Sequence, residues 1–183
     1  MHQPTDLTSK ALLQACAEGH RQSMEMFYKA ALPLLWPVAC RYSRDDLDAR
    51  DILNTAMMKV FKALHQFDGH NIHAWMKTIV INTGIDAIRS RQRHSSSGEI
   101  TPAMENNTAL TYLDDQLSEA DLLDALRRLP EHLRVVLLLH AVDGYSHEEI
   151  GKQLGITPNN SRWRLHQARQ QMKSILTNLE LIS

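Results

Sequence analysis

The chain has 183 residues, 43% hydrophobic and 22% charged, with a formal net charge of −1. That suits one ordinary domain or two small ones, and the near-neutral whole-chain charge does not announce a nucleic-acid binder. No apolar run approaches the ~20 residues of a membrane span and no signal-peptide pattern opens the sequence, so a cytoplasmic chain without membrane insertion is expected. Cys16 and Cys40 sit in apolar helical patterns and read as buried free thiols, neither a disulfide framework nor a CxxC metal site.

Helical periodicity runs through the N-terminal half. A first helix is predicted over residues 8–18, with Thr8 as its cap. A second spans 22–42, where Met24, Phe27, Ala31, Leu35 and Val38 recur at mostly three- and four-residue steps. Pro33 and Pro37 fall inside it and should kink or split it, because each removes a backbone donor. A third helix is expected over 47–66. Ile52, Ala56, Val60, Ala63 and Leu64 form its core stripe, while Asp48, Asp51, Thr55 and Lys59 lie on another face. Asp45 and Asp46 read as its polar start, where negative charge suits the helix dipole.

"FDGHN", Phe67 to Asn71, is a turn, and a fourth helix follows over 71–93. It is apolar on two faces, through Ile72, Trp75, Met76 and Ile79 and through Ile81, Ile85 and Ile88, so it should be mostly buried. Asn82, Asp86 and Arg89 form its polar stripe. Asp86 is expected in an internal Asp–Arg pair. For Asn82, structural and functional roles weigh about equally. His65, His70 and His73 lack an obvious fourth ligand, so no metal site is expected.

Composition then shifts. Residues 95–117 carry Glu99, Glu105, Asp114 and Asp115 and no Lys or Arg, and read as an acidic flexible tether. Helices resume over 118–128, 131–142, 146–154 and 157–179. The fold class is therefore all-α, with two small helical domains at 1–94 and 118–183 joined by a linker at 95–117.

Punctuation is densest in the C-terminal module. Pro130 stands at a helix start and Gly144 at a helix end. Ser146 with Glu149 makes a capping box, Gly155 stops the next helix, and Thr157 with Pro158 opens the last. Two helices joined by a short Gly turn are a helix-turn-helix pattern. On the last helix Leu165, Ala168, Met172, Ile175 and Leu179 share a core face. Asn160, Trp163, Gln167 and Gln170 then point away, with Arg162, Arg164 and Arg169 on the flanks. Residues 159–173 contain no acid. Asn and Gln can pair with adenine, Arg with guanine, and flanking arginines suit phosphates. A solvated helix with one exposed Trp is the blander reading.

The two modules in this order resemble the extracytoplasmic-function group of sigma-70 RNA polymerase sigma factors, over roughly residues 9–176. The resemblance rests on "DARDILNTAMMKVFKALHQF", on "HAWMKTIVINTGIDAIRSRQR" through Trp75, Asn82, Asp86 and Arg89, and on "LPEHLRVVLLLHAVDGYSHEEIGKQLGIT". It implies an alternative sigma factor with no catalytic residues, cofactor or metal of its own. It implies that Asp48, Asp51, Asn54 and Thr55 bind the β′ clamp of core RNA polymerase, the chain also meeting the β flap. It implies that Asp68, His70, Asn71, His73, Lys77, Asn82 and Arg89 serve the −10 element, capturing a flipped base. It assigns the −35 element to Asn159, Asn160, Arg162, Trp163, Arg164 and Gln167. The acidic linker would thread toward the RNA exit path, and an anti-sigma factor would restrain the chain. Departures from the family pattern are Asn54 for the usual Gln, Ser161 for an inward Val, Trp163 for a small residue and Gln167 for Arg. Two other readings are a helix-turn-helix regulator that does not direct polymerase and a degenerate sigma-like interaction protein.

Overall fold

Apolar residues at helical spacing must bury one stripe each, and the N-terminal helices do so against one another. A computed structural model describes residues 5–94 and 118–180; the tether predicted at 95–117, and whatever path it takes, lies outside them. The helices are α1 (Lys10–Ala17), α2 (Arg21–Tyr42), α3 (Asp46–Ala63), α4 (Ile72–His94), α5 (Glu119–Arg128), α6 (Glu131–Leu137), α7 (His147–Leu154) and α8 (Pro158–Glu180), with no strand among the described residues. They fall into two units, Met1–Ala87 and Ile88–Ser183.

In the first unit α2 packs along α3, and α1 along α2. Phe27, Leu35, Tyr42, Leu53, Val60, Met76 and Val80 are almost wholly enclosed. Each such burial contributes roughly 1.5–3 kcal/mol. Phe27 meets Phe61 at a ring-centroid distance of 5.8 Å. Gly84 is what lets α4 approach α2: a Cβ there would lie 2.6 Å from the Tyr42 Cβ. Cys16 and Cys40 are buried and form no disulfide, and burial pushes the Cys16 pKa up.

Four expectations are corrected. Thr8 does not cap α1. Its hydroxyl and N–H both donate to Asp6 Oδ1, at 2.7 and 2.9 Å, and Ser9 takes the N-cap position. Pro33 and Pro37 do not split α2, which runs through both. Both rings are exposed, so the carbonyls they orphan, those of Lys29 and Pro33, are on the solvent side, where water can satisfy them. The third helix stops at Ala63 and tightens into a 3-10 turn, Leu64–Gln66. In the C-terminal module α6 ends at Leu137 and widens into a π turn, Leu138–Val142. There Asp143 N–H bonds Leu138 O and Tyr145 N–H bonds Leu139 O.

In the second unit α8 is the common partner of α5, α6 and α7. Its buried positions are Asn160, Ser161, Leu165, Ala168, Met172 and Leu176, with Ile175 only half-buried. Leu138, Leu139 and Ile150 complete that core.

Candidate nucleic-acid interface

The α7–α8 corner is built by local chemistry already visible in the residues. Ser146 Oγ accepts from the Glu149 N–H, and the Glu149 carboxylate accepts from the Ser146 N–H at 2.8 Å, closing the capping box. The Ser146 N–H and hydroxyl, each donating to that carboxylate at 2.8 Å, hold the Glu149 pKa below its ordinary 4.5. Gly155 ends α7 at φ +69°, a left-handed conformation that favours glycine. Thr157 Oγ1 accepts from the Asn160 N–H at 3.1 Å, and Pro158 opens α8. Gly151 was not anticipated: a Cβ there would lie 2.8 Å from the Ile156 carbonyl oxygen, so its bareness lets the turn fold back on α7.

The corner leaves one side of α8 open. Asn159, Arg162 and Gln170 are exposed, while Trp163, His166 and Gln167 are half-buried. At 100° per residue Asn159, Trp163, His166 and Gln170 point the same way, so His166 joins the predicted set. Arg162 is held in place, donating to Asn159 Oδ1 at 2.8 Å and to Glu148 at 3.2 Å. Asn160 is corrected: it is 8% exposed and belongs to the interior side of the first turn, so it does not present itself to a base edge. The wheel placed only α8's own face and could not show that Asn160 would be enclosed by the rest of the unit. Arg164 is half-buried, placing it at the flank. Ser161 is wholly enclosed and 2.9 Å from His147 Nδ1.

In the first unit, α3 offers an exposed strip. Asp51, Asn54 and Thr55 are open, and exposed Leu47 and Met58 extend the same side. These two apolar residues were missed because periodicity marks core, not exposed, hydrophobes. Asn54 Oδ1 accepts from the Tyr28 hydroxyl at 3.1 Å. Asp48 is largely taken up at the helix start: its side chain is 12% exposed and accepts from the Arg44 N–H at 2.9 Å.

The turn before α4 is shaped by Gly69 at φ +87° and by Asp68, whose Oδ1 accepts from the His70 N–H at 3.1 Å. Asn71 caps α4, accepting from the Ala74 N–H at 3.0 Å. Phe67 and Trp75 tie turn to helix, with ring centroids 5.2 Å apart. A cavity of about 370 Å³ opens between this turn and α1, lined by Lys10, Leu13, Gln14, Phe67, Asp68 and His70 among others. His70, His73, Lys77, Asn82 and Arg89 are exposed. Asp86 is corrected: it makes no internal Asp–Arg pair but an exposed ion pair with Lys59 of α3, at 3.2 Å. Among the described residues no cluster of His, Cys, Asp or Glu could hold a metal.

Two surfaces thus stand on two helical units, one an α3–turn–α4 face and the other a helix-turn-helix. The family model described as sigma-70 region 2 matches residues 27–94, and that described as sigma-70, region 4, matches 119–172. The RNA polymerase sigma factor CarQ of Myxococcus xanthus is 31% identical over 171 residues, covering 90% of this chain and 95% of that protein. The chain belongs to the extracytoplasmic-function group of the sigma-70 family. This sigma-70 chain is also 31% identical over 147 residues to the ECF sigma factor SigE of Mycolicibacterium smegmatis, covering 78% of itself but 57% of SigE. The sigma-E factor of Escherichia coli is 24% identical, with 90% and 92% covered. The fold is similar to that of the sigma factor RpoE of Bartonella quintana, solved in complex with the anti-sigma factor NepR. The TM-score is 0.50 at 24% identity, covering 85% of this chain and 98% of that one.

Proposed function

We propose that the chain is an alternative sigma factor: it binds core RNA polymerase and directs transcription initiation at a particular promoter class. The observation that carries this is the presence of both family regions in one chain, region 2 and region 4, in the family's order. A regulator that bound DNA without polymerase would need only the second. The open α3 strip, Asp51, Asn54 and Thr55 with Leu47 and Met58, is the polymerase-facing surface, and Asp48 supports it from the helix start. The Phe67–Asn71 turn and the exposed side of α4 serve the −10 element, the cavity beside them offering room for a base unstacked from the duplex. Asn159, Arg162, Trp163 and Gln167 read the −35 duplex, helped by His166, with Arg164 on the phosphates. The polymerase performs the chemistry and the chain supplies recognition. It acts in the cytoplasm, restrained by an anti-sigma factor; no described helix is long and apolar enough to cross a membrane.

The test is a pull-down of purified core polymerase followed by genome-wide run-off transcription. Binding, with a shared upstream motif among new start sites, is the expected result. Trp163→Ala should then weaken −35 duplex binding and spare core binding, whereas Asp51→Ala should do the reverse. Failure to bind core would overturn the proposal even if α8 still held DNA.

A further inference from the structure

A buried hydroxyl needs a hydrogen-bond partner. Ser161, in the first turn of α8, has no exposed surface, and its partner is the Nδ1 of His147, the first residue of α7, at 2.9 Å. The face of that imidazole stacks on His140, with centroids 4.5 Å apart and planes 15° from parallel. His140 is oriented in turn: its Nδ1 lies 2.9 Å from the Tyr145 carbonyl oxygen, which can only accept, so Nδ1 carries the hydrogen. The π turn, α7 and α8 are thereby joined through two rings and a hydroxyl.

We propose that His147 is the positioning residue of the recognition helix, set in its neutral form between His140 and Ser161, and that protonating it loosens α8 from α7. That α8 reads DNA rests on the function proposed above. The neutral ring suits the site because a hydroxyl can donate to it or accept from it, and because two neutral rings stack without repulsion. A charged ring meets opposition from two elements. His140 lies across the stack, on the π turn. Arg162 and Arg169 come from α8. Only Glu148, its neighbour on α7, favours the charge. Burial, then His140 and Arg162, hold the His147 pKa below its ordinary 6.5, with Glu148 opposing. With the folded value below the unfolded one, the unfolded chain takes up the proton first. The stabilisation is therefore complete above about pH 6.5 and is lost as pH falls toward the folded value.

The test uses the full chain and three variants: Ser161→Val, His147→Phe and the double. Ring NMR follows His147, and amide exchange follows α7 and α8, between about pH 8 and about pH 5.5. His147 should titrate below its ordinary value. Protection in α7 and α8, the exchange rate divided into the base-catalysed intrinsic rate at each pH, should fall on acidification in the wild type, and this pH slope should vanish in the double variant. At neutral pH each single variant strands one polar partner and should weaken duplex binding by about fivefold, while the double variant, apolar on both sides, should return to within about twofold of wild type. His147 titrating at or above its ordinary value, a pH slope that survives in the double variant, additive losses, or a double variant that fails to fold would each overturn the proposal. Ring titration and exchange need neither promoter nor polymerase, so failure of the sigma-factor reading is separately visible.

Discussion

Ile150→Ala should open the helix-turn-helix from its centre. Ile150 has no exposed surface and sits one turn inside α7, its N–H bonded to the Ser146 carbonyl at 2.9 Å. The substitution removes everything beyond Cβ. At about 0.8 kcal/mol per buried carbon the transfer loss is about 2–2.5 kcal/mol, and unfilled space brings the total to about 3–4 kcal/mol. Domains have roughly 5–15 kcal/mol in hand, so the unit remains mostly folded, but its opening constant rises by about two to three orders of magnitude. Amide exchange on the full chain reads this directly. Protection should fall in α7 and α8 while α2 and α3 keep wild-type rates. Promoter-duplex affinity should fall with it, because α8 no longer rests against a packed partner. A loss under about 1 kcal/mol in α7 and α8 would refute the reasoning, since it would mean that Ile150 is not the enclosed centre of that corner.

Arg162→Ala removes an exposed side chain paired to Glu148 and Asn159, so stability should change by under about 0.5 kcal/mol, while titrations at several salt concentrations should show weaker −35 binding with a shallower salt slope. Asp51→Arg reverses a charge on the open α3 strip; affinity for core polymerase, read by fluorescence polarisation, should drop by about tenfold or more with an unchanged melting curve. Glu149→Gln bears on acid stability: the Glu149 pKa is lowered by its bonds to Ser146, so its contribution is present above the ordinary 4.5 and disappears as pH falls through the folded value. Protection at the start of α7, corrected for the intrinsic pH dependence of exchange, should therefore fall in acid in the wild type and show a flatter pH profile in the variant. Gly84→Val places a side chain where a Cβ alone would stand 2.6 Å from the Tyr42 Cβ; thermal melting should show the first unit destabilised by about 1–3 kcal/mol, and an unchanged melt would mean α2 and α4 do not approach so closely.

The order of the α-helices, and the helix-turn-helix itself, were determined by the sequence alone, because their signals are local. Ser146 and Glu149 cap each other three residues apart, Gly155 turns in a conformation that favours glycine, and Thr157 bonds a backbone three residues on. Apolar spacing marked Ile52, Val60, Leu165 and Met172 as interior for the same reason. The fold class and the family followed from those elements in their order. Tertiary structure decided what depends on a neighbour distant in the chain. Asp86 chose Lys59 because α3 lies beside α4, a pairing no helical wheel contains. Pro33 and Pro37 stayed inside α2 because the carbonyls they orphan face solvent. Asn160 was enclosed, though α8's own wheel points it outward, and Asp48 was taken by the Arg44 backbone at the start of α3. The close approach at Gly84 and the His140–His147–Ser161 contact are likewise visible only once helices are packed, because each joins residues whose separation in sequence carries no periodic signal.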